Sequence, residues 1–274
     1  MTAISRALSR ATEQLGRTSD TPRLDAELLM AAALDIGRDR LILNPPQGNP
    51  PPAFAEFVER RRAGEPIAYI TGQRAFWTID LEVGPGALVP RPDSETLIAS
   101  AVEYFAGTQG PGRILDLGTG PGTLLLAALD EWPKATGLGI DASDAALAYA
   151  RRNVARLGLG ERAELRIGDW AEGVEERFDL ILCNPPYVAA DAETGPGVAE
   201  YEPAEALFAG RDGLDDYRRL APEVGRLLAP GGLAAIEIGF DQAESASALF
   251  ERAGLVPALA LDLGNRPRAL LIKS

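Results

Sequence analysis

The feature that most constrains the fold is a repeated order of apolar strand, turn and helix, which begins near residue 90. Strands that alternate with helices predict a mostly parallel sheet covered by helices on both faces, a doubly wound fold. The predicted strands are 113–117, 136–141, 163–168, 178–183 and 233–238, and the predicted helices include 124–131, 142–157 and 243–253. Two later apolar segments, 256–263 and 268–273, are separated by only Gly264-Asn265-Arg266-Pro267. A connection this short cannot cross over a sheet, so these two strands should pair antiparallel.

The segment before this repeat has a helical pattern instead. The predicted helices are 3–15, 23–34, which Thr21-Pro22 would open, and 53–63. In the second of these, Leu24, Leu28, Ala31 and Ala32 share one face. The β-rich segments 67–70 and 76–81 flank Gly72 and predict a hairpin. The predicted organisation is a small helical domain at 1–75, a hairpin or linker at 76–90 and an α/β domain at 91–274.

Composition excludes several classes of chemistry. The 274 residues include no histidine and one cysteine, Cys183, which excludes histidine general bases and an intrachain disulfide and makes a zinc site unexpected. The net charge of −13 argues against a surface that grips many phosphates. Arginines gather at 60–62 and 151–152, and both sets are expected to be solvated helix faces. No signal-peptide core or membrane span is apparent, which predicts a cytoplasmic protein without a membrane partner.

A glycine-rich turn, Gly118-Thr119-Gly120-Pro121-Gly122, follows the first strand of the repeat and precedes a helix. Its glycines allow tight turning and close backbone approach to a ligand. Asp141 ends the next strand, where its carboxylate can accept hydrogen bonds from both hydroxyls of a ribose. A nucleoside cofactor is therefore expected, and a glycine-rich turn alone would also suit a nicotinamide dinucleotide.

Two further features favour S-adenosylmethionine over a dinucleotide: Asp116, and the segment Asn184-Pro185-Pro186-Tyr187 that is expected across the crevice from it. Asp116 lies in the strand just before the turn, where a carboxylate would repel a pyrophosphate but attract a positively charged amino acid group. Asp169 and Trp170 follow the third strand and could supply a carboxylate for the adenine amino group and an indole for its face. The alternative for Trp170 is ordinary core packing.

Asn184-Pro185-Pro186-Tyr187 follows the apolar run 178–183, which indicates a buried parallel strand. At the carboxyl end of such a strand, the Asn184 side chain and the Pro185 carbonyl can both face a crevice, while two prolines stiffen the turn. Two acceptors beside the Tyr187 ring suit an NH2 group, so the segment indicates methyl transfer onto a planar nitrogen. An ordinary strand-to-loop turn is the alternative, because Asn-Pro and Pro-Pro are common in loops.

These residues resemble those of the HemK/PrmC family, the release factor glutamine methyltransferases, over nearly the whole chain. The matching segments are 21–27, 65–72, 76–77, 89–95, 118–122, 169–170, 184–187, 201–203, 206–210 and 212–214. Asn-Pro-Pro-Tyr is also found in methyltransferases that act on adenine and guanine amino groups, so the segments before residue 96 discriminate. The departures are mild: Ser94 stands where threonine is expected, and Ala204-Glu205 where a more basic residue is common.

The resemblance implies a Rossmann-like class I S-adenosylmethionine-dependent methyltransferase fold, with a mostly parallel seven-stranded sheet, an antiparallel last strand and a small N-terminal helical domain. It implies methyl transfer to the side-chain nitrogen N5 of the glutamine in the Gly-Gly-Gln motif of peptide chain release factors. Asn184, Pro185 and Tyr187 would be catalytic, Pro186 would complete the substrate contact, and no metal would be needed. The cofactor would be held by Gly118, Thr119, Gly120, Pro121, Gly122, Asp141, Asp169, Trp170 and Asn184.

Other roles and functions stay open at the level of sequence. The helical domain would dock the release factor or only cover a sheet edge, and the loop 188–200 would be a substrate-side lid or a passive loop. A DNA or RNA amino-methyltransferase would share the fold, the cofactor and Asn-Pro-Pro-Tyr, although no direct nucleic-acid partner is expected from the charge. A catalytically inactive nucleoside-binding protein is the other alternative, against which Asp141 and Asn184 both count.

Overall fold

The computed structural model describes residues 2–274, which divide into two compact units. The first unit contains residues 2–73 together with Thr194–Tyr201, and the second contains Arg74–Glu193 and Glu202–Ser274. Residue 1, which the helical-domain prediction includes, lies outside the described residues. Across residues 2–274 no helix combines the length and the apolar character that crossing a bilayer would require.

Helices and strands follow one another in a regular order along the chain. The helices are α1 (Ala3–Leu15), α2 (Pro22–Ala33), α3 (Arg38–Leu43), α4 (Pro52–Arg62), α5 (Ile67–Thr71), α6 (Glu95–Tyr104), α7 (Thr123–Glu131), α8 (Asp144–Leu157), α9 (Val198–Tyr201), α10 (Asp215–Leu227) and α11 (Ala243–Arg252). The strands are β1 (Gln73–Phe76), β2 (Ile79–Glu82), β3 (Arg113–Leu117), β4 (Thr136–Asp141), β5 (Ala163–Ile167), β6 (Phe178–Cys183), β7 (Leu228–Glu237), β8 (Pro257–Leu261) and β9 (Pro267–Lys273).

The first unit is a helical cluster built around α1, α2 and α4, and each of these helices begins and ends within one residue of its predicted bounds. Thr2 caps α1, because its side-chain oxygen accepts a hydrogen bond from the Ser5 amide at 3.1 Å. Apolar side chains spaced three or four residues apart then face one core. The core includes Ile4, Leu8, Leu15, Leu29, Met30, Leu41, Phe54 and Val58.

The apolar face named for α2 is only partly buried. Ala31 is buried but Leu24 is exposed, and the helix also buries Leu29 and Met30 together with the acidic residues Asp25 and Glu27. Ion pairs explain this burial, since Asp25 accepts from Arg61 at 2.8 Å, and Glu27 pairs with two further arginines. Burial raises the pKa of the Glu27 carboxyl, but the hydrogen bonds from those arginines outweigh it and lower the pKa overall.

The arginine run 60–62 is therefore not simply a solvated face. Arg61 has a side chain only 18% exposed and holds the buried Asp25 carboxylate. Arg60 pairs with Glu65 at 2.5 Å, and Arg62 alone lies in an exposed pair, with Glu59. Two of the three guanidinium groups thus form part-buried ion pairs inside the first unit.

The segment 67–70 forms helix α5, so its prediction as a strand is wrong. Pro66 stands at the N-cap, where its fixed φ and missing N–H suit a helix start, and Gly72 ends the helix with φ 73°, the left-handed value that favours glycine. The hairpin is real but lies later, between β1 and β2 at Gln73–Phe76 and Ile79–Glu82. Local β-propensity is overridden here because Tyr69 and Ile70 are buried in the helical form.

The second unit contains a seven-stranded sheet with the order β5-β4-β3-β6-β7-β9-β8. The strands from β3 to β7 pair in parallel, and β9 pairs antiparallel with both β7 and β8, as the short connection between them predicted. The helices α7, α8, α10 and α11 pack beside these strands. Because β3, β6 and β7 are covered on both faces, their sequences are almost entirely apolar, and a charged residue in them requires a separate explanation.

The ion pair within the first unit yields a stability test. Asp25→Ala should lower the free energy of unfolding of this unit by about 2 kcal/mol, because it leaves the Arg61 guanidinium without its carboxylate in a mostly buried position. Glu13→Ala, on the exposed face of α1, is the matched control and should change it by less than about 0.5 kcal/mol. Denaturant unfolding together with hydrogen exchange of α2 measures both variants. Equal stability of the two variants would show that the buried pair contributes nothing.

Candidate active site

A cavity of about 370 Å³ lies at the carboxyl ends of β3, β4, β5 and β6, within the second unit. Ligands of open α/β sheets bind in this position, beside the point where successive strands stop adding to one side of the sheet and start adding to the other. Here that point lies between β3 and β6. Of the predicted cofactor residues, the cavity is lined by Gly118, Thr119, Gly120, Pro121, Asp141, Asp169, Trp170 and Asn184. Gly122 does not line it, and neither do Pro185 and Tyr187, whereas Pro186 does.

The turn after β3 needs its glycines. Gly118, Gly120 and Gly122 have φ values of 71°, 58° and 89°, a region that side chains rarely adopt. A Cβ at Gly122 would also lie 2.7 Å from Leu126 at the start of α7, so this glycine serves helix packing and does not contact the cavity. Asn153, fully buried on α8, donates to the Pro121 carbonyl at 2.9 Å and thereby fixes the turn against its surroundings.

Asp116 is a buried carboxylate with one unsatisfied oxygen beside the cavity. Its Oδ2 accepts from the Thr119 hydroxyl at 2.7 Å and from the Leu125 amide at 3.0 Å, whereas Oδ1 has no hydrogen-bond partner among the described residues. Burial raises the pKa of the Asp116 carboxyl to about 7, although these two hydrogen bonds lower it. A buried acceptor without a partner is rare. Oδ1 is therefore suited to accept a hydrogen bond from a ligand, and a cationic donor would bind it most strongly.

Asp141, at the end of β4, is held by the backbone with both oxygens oriented toward the cavity wall. Oδ2 accepts from the Gly120 amide at 2.7 Å, and Oδ1 accepts from the Ser143 amide at 2.8 Å. Burial raises the pKa of this carboxyl, while the backbone hydrogen bonds lower it. Each oxygen keeps a second lone pair, so the fixed carboxylate can accept from a pair of adjacent hydroxyls.

The segment after β5 contacts helix α10 through polar side chains. No pattern in the sequence predicts this contact. Asp169 pairs with Arg219 at 2.6 Å, and Trp170, at φ 50°, hydrogen-bonds Asp216. Burial raises the pKa of the Asp216 carboxyl, and the Trp170 hydrogen bond lowers it. Since Asp216 and Arg219 both line the cavity, α10 contributes two charged groups to it.

Asn184 lies directly after β6 with its side chain in the cavity wall. Its Nδ2 donates to the Ser94 hydroxyl at 3.2 Å, which fixes the amide orientation and leaves Oδ1 free to accept. Tyr187 is partly buried, and its hydroxyl donates to Glu237 at 3.2 Å. Burial raises the pKa of the Tyr187 hydroxyl well above its usual range. The structure thus separates the two side chains: Asn184 faces the cavity and Tyr187 packs behind it.

Glu202 orders the cavity wall formed by Val89-Pro90-Arg91. This buried carboxylate accepts from the Val89 amide at 3.0 Å and from Arg91 at 2.5 Å. Sequence reasoning named both segments but assigned them no contact. The polar residues at or near the site that have no predicted role include Ser94, Glu202, Asp216, Arg219 and Glu237. Among these residues, only Glu237 could have been singled out from the sequence, because it is the one charged residue in an apolar parallel strand.

The loop that follows Tyr187 begins as an anchored segment. Val188 bridges Phe208, its amide donates to the Leu207 carbonyl at 2.9 Å, and the Ala190 amide donates to Gly210 at 2.9 Å. Residues 194–201 of this loop belong to the first unit, where Gly197 approaches Gly64 so closely that a Cβ would lie 2.1 Å from its carbonyl oxygen. Backbone hydrogen bonds thus anchor the start of the loop in the second unit, and residues from 194 onward pack in the first unit.

Together, the sheet topology and the glycine-rich turn define a class I S-adenosylmethionine-dependent methyltransferase. The chain is 42% identical to a release factor glutamine methyltransferase of Caulobacter vibrioides (92% of this chain, 89% of the relative) and 44% identical to one of Rhodospirillum rubrum (93% and 79%). Residues 6–72 match the PrmC N-terminal domain, and residues 97–201 match the methyltransferase small domain. The chain belongs to the release factor glutamine methyltransferase family, which confirms the resemblance found in its sequence.

Solved structures support the fold independently. A methyltransferase from Pyrococcus furiosus superimposes with a TM-score of 0.53 at 19% identity, over 80% of this chain and 98% of that one. A ribosomal protein L11 methylase from Lactobacillus delbrueckii superimposes with a TM-score of 0.51 at 20% identity, over 70% and 84% of the two chains. At this identity the likeness shows the fold alone, and it confirms the predicted fold class.

The cofactor of the enzyme is S-adenosylmethionine, and the residues present fit it. The unsatisfied Asp116 oxygen suits a positively charged amino group, and the fixed Asp141 carboxylate suits a ribose diol. A Cβ on Gly120 would meet no atom within 4 Å, so the turn leaves open space beside its backbone. The cavity volume lies within the usual range for a ligand of this size.

The unsatisfied carboxylate predicts opposite effects on binding and stability. Asp116→Asn should weaken S-adenosylmethionine binding at least about tenfold near pH 8, because a neutral amide cannot pair with the cationic amino group. It should also preserve or raise the melting temperature there. Since burial raises the folded pKa from 3.8 to about 7, Asp116 lowers the stability progressively as the pH rises between these two values, and the loss is complete and constant above about 7, so the amide removes this penalty at pH 8.

Calorimetry near pH 6 and pH 8 measures the binding half of this prediction. The parent should bind the cofactor more tightly at the higher pH, where Asp116 is ionised, and the Asn variant should lose that difference. Retention of parental affinity and of its pH dependence in the variant would contradict the assignment of Asp116 to the amino group.

Proposed function

We propose that this chain transfers the methyl group of S-adenosylmethionine to the side-chain nitrogen N5 of the glutamine in the Gly-Gly-Gln motif of peptide chain release factors. Family membership supports methylation of a release factor glutamine. The observation that carries the proposal is the orientation of Asn184, whose Nδ2 is engaged by Ser94. Its Oδ1 is therefore presented as an acceptor, which is what a primary amide substrate requires.

The mechanism we infer depends on positioning. An amide nitrogen is a poor nucleophile because its lone pair is delocalised into the carbonyl, so alignment must supply much of the rate. Asn184 Oδ1 and the Pro185 carbonyl accept hydrogen bonds from the two N–H groups of the glutamine amide, and Tyr187 supports the segment from behind the cavity wall. These two acceptors direct the nitrogen at the methyl carbon and stabilise the positive charge that develops on it.

The bound cofactor would supply an electrophilic methyl group on a positively charged sulfur. Methyl transfer would leave the electron pair of the broken carbon–sulfur bond on sulfur, and the nitrogen would release one proton to water to restore a neutral amide. Among the chain's own residues, Asp116 would hold the amino acid end and Asp141 the ribose. Asp169 and Trp170 would border the adenine, and the turn at 118–121 would line the cofactor.

Recognition of the release factor we assign to the first unit, with the loop 188–200 on the substrate side. The PrmC N-terminal match over residues 6–72 supports this role, because it lies outside the methyltransferase small domain match at residues 97–201. A substrate of the translation machinery also supports a cytoplasmic location. The net charge of −13 and the family relationship both disfavour the alternative of a DNA or RNA amino-methyltransferase.

The substrate is tested by transfer of labelled methyl from S-adenosylmethionine to a purified release factor, followed by peptide mass mapping. Label should appear only on the Gly-Gly-Gln peptide and should be absent from a Gly-Gly-Ala release factor variant. Equal masses of DNA and RNA serve as competing acceptors. Label on nucleic acid would favour the alternative, and no label on the release factor, despite measured cofactor binding, would refute the proposal.

The role of Asn184 is tested by Asn184→Ala. Turnover should fall at least about 100-fold, as expected for loss of a preorganised dipole, while the fold is retained. Glu251→Ala, on the exposed side of α11, is the control and should keep parental turnover. A turnover of Asn184→Ala within about tenfold of the parent would exclude this role for the side chain.

A further inference from the structure

Glu237 is a buried carboxylate for which the chemistry described so far has no use. It ends β7, is 1% exposed, and lies in a strand whose other residues near this end are apolar. Parallel register pairs Cys183 of β6 with Ile236 of β7, so Glu237 stands beside the residue that follows β6, which is Asn184. An ionised group in such a place is costly unless it is hydrogen-bonded.

One oxygen of Glu237 is bound to the Asn-Pro-Pro-Tyr segment. Oε1 accepts from the Tyr187 hydroxyl at 3.2 Å. Arg268 on β9 is the cation that acts on the carboxylate, and Tyr217 on α10 donates to the Glu237 backbone carbonyl at 3.0 Å. Arg268 itself pairs more closely with Asp93, at 3.1 Å. The Glu237 carboxylate therefore forms no short ion pair with Arg268.

The second oxygen of Glu237 remains available to Ser94. Oε2 has no hydrogen-bond partner among the described residues. The Ser94 hydroxyl lowers the pKa of the same carboxyl, so the two groups are neighbours. Since the Ser94 oxygen accepts from Asn184 Nδ2, its own proton is free to point at Glu237.

These contacts form a chain with Glu237 at its centre. On one side Glu237 holds Tyr187, and on the other side Ser94 links it to Asn184. A carboxylate accepts from both neighbours and donates to neither, so it fixes the direction of both hydroxyl protons and, through Ser94, the orientation of the Asn184 amide. An inverted amide would present NH2 to the substrate nitrogen and would repel it.

We propose that Glu237 is a positioning residue for methyl transfer, which holds Tyr187 directly and Asn184 through Ser94 so that the Asn184 side chain meets the acceptor amide in a fixed geometry. This inference rests on the proposed function, because it assigns Asn184 Oδ1 to the substrate N–H. Glu237 itself does not touch the acceptor. Precise support behind a reacting side chain is what positioning catalysis requires, since displacements near 1 Å can cost about 100-fold in rate.

The first variant is Glu237→Gln, which keeps the size of the side chain but can place an NH2 group toward Ser94 or Tyr187. We expect kcat with a release factor at saturating cofactor to fall at least about tenfold, with cofactor affinity by calorimetry within about twofold of the parent. Glu251→Gln, on the exposed side of α11, is the matched control and should leave both quantities unchanged.

A pair of variants at Ser94 keeps the test decisive if Glu237→Gln folds poorly. Ser94→Ala removes the link to Asn184 and should lower kcat by a similar factor, whereas Ser94→Thr keeps the hydroxyl and should stay within about threefold of the parent. Because Glu237 and Ser94 act on one amide, the double variant should be no slower than the slower single variant.

The inference is overturned if kcat of Glu237→Gln and Ser94→Ala stays within about twofold of the parent, or if the losses multiply in the double variant. It is also overturned if the loss follows cofactor affinity or melting temperature, since Glu237 would then only stabilise the sheet. Failure of the parent to methylate a release factor would instead refute the proposed function, so the two outcomes are distinct.

Discussion

Parallel pairing of β3 with both β4 and β6 is the constraint on which the site depends. Leu117 pairs with Ile140 on one side and with Cys183 on the other, so the three strands end at the same edge of the sheet. The residues that come next, the glycine-rich turn, Asp141 and Asn184, are far apart in sequence but share one cavity. Backbone hydrogen bonds set this register, and the apolar side chains of the strands lock it, because a slip by one residue would expose them.

The same edge concentrates groups that weaken the fold. Asp116 and Glu237 are both buried carboxyls whose pKa burial raises to about 7, and each has an oxygen without a partner among the described residues. Away from this edge the chain satisfies its buried acids, as Asp25 and Glu27 show with their arginines. The unsatisfied acidic oxygens therefore lie at the edge of the sheet that forms the cavity, and the surrounding apolar core offsets their cost.

Much of this arrangement was accessible from the sequence. The strands β3, β4 and β6 begin and end where their apolar runs predict, and the antiparallel pairing of β8 with β9 follows from a connection too short to cross the sheet. The segment 67–70 was not accessible, because its β-propensity is overridden by burial in helix α5. The buried face of α2 was missed for a related reason: distant arginines compensate its acids, and periodicity alone cannot reveal them.

The sequence by itself determined the class of fold and the family, and it identified most of the residues that line the cavity at the glycine-rich turn, since these depend on local patterns of glycine, proline and apolar residues. Tertiary structure decided which other side chains meet them. Ser94 reaches Asn184, Glu237 reaches Tyr187, and Glu202 reaches Val89 and Arg91 across 50 to 113 positions of chain. Such contacts depend on strand order and register, which non-local hydrogen bonds and packing fix only when the chain has folded.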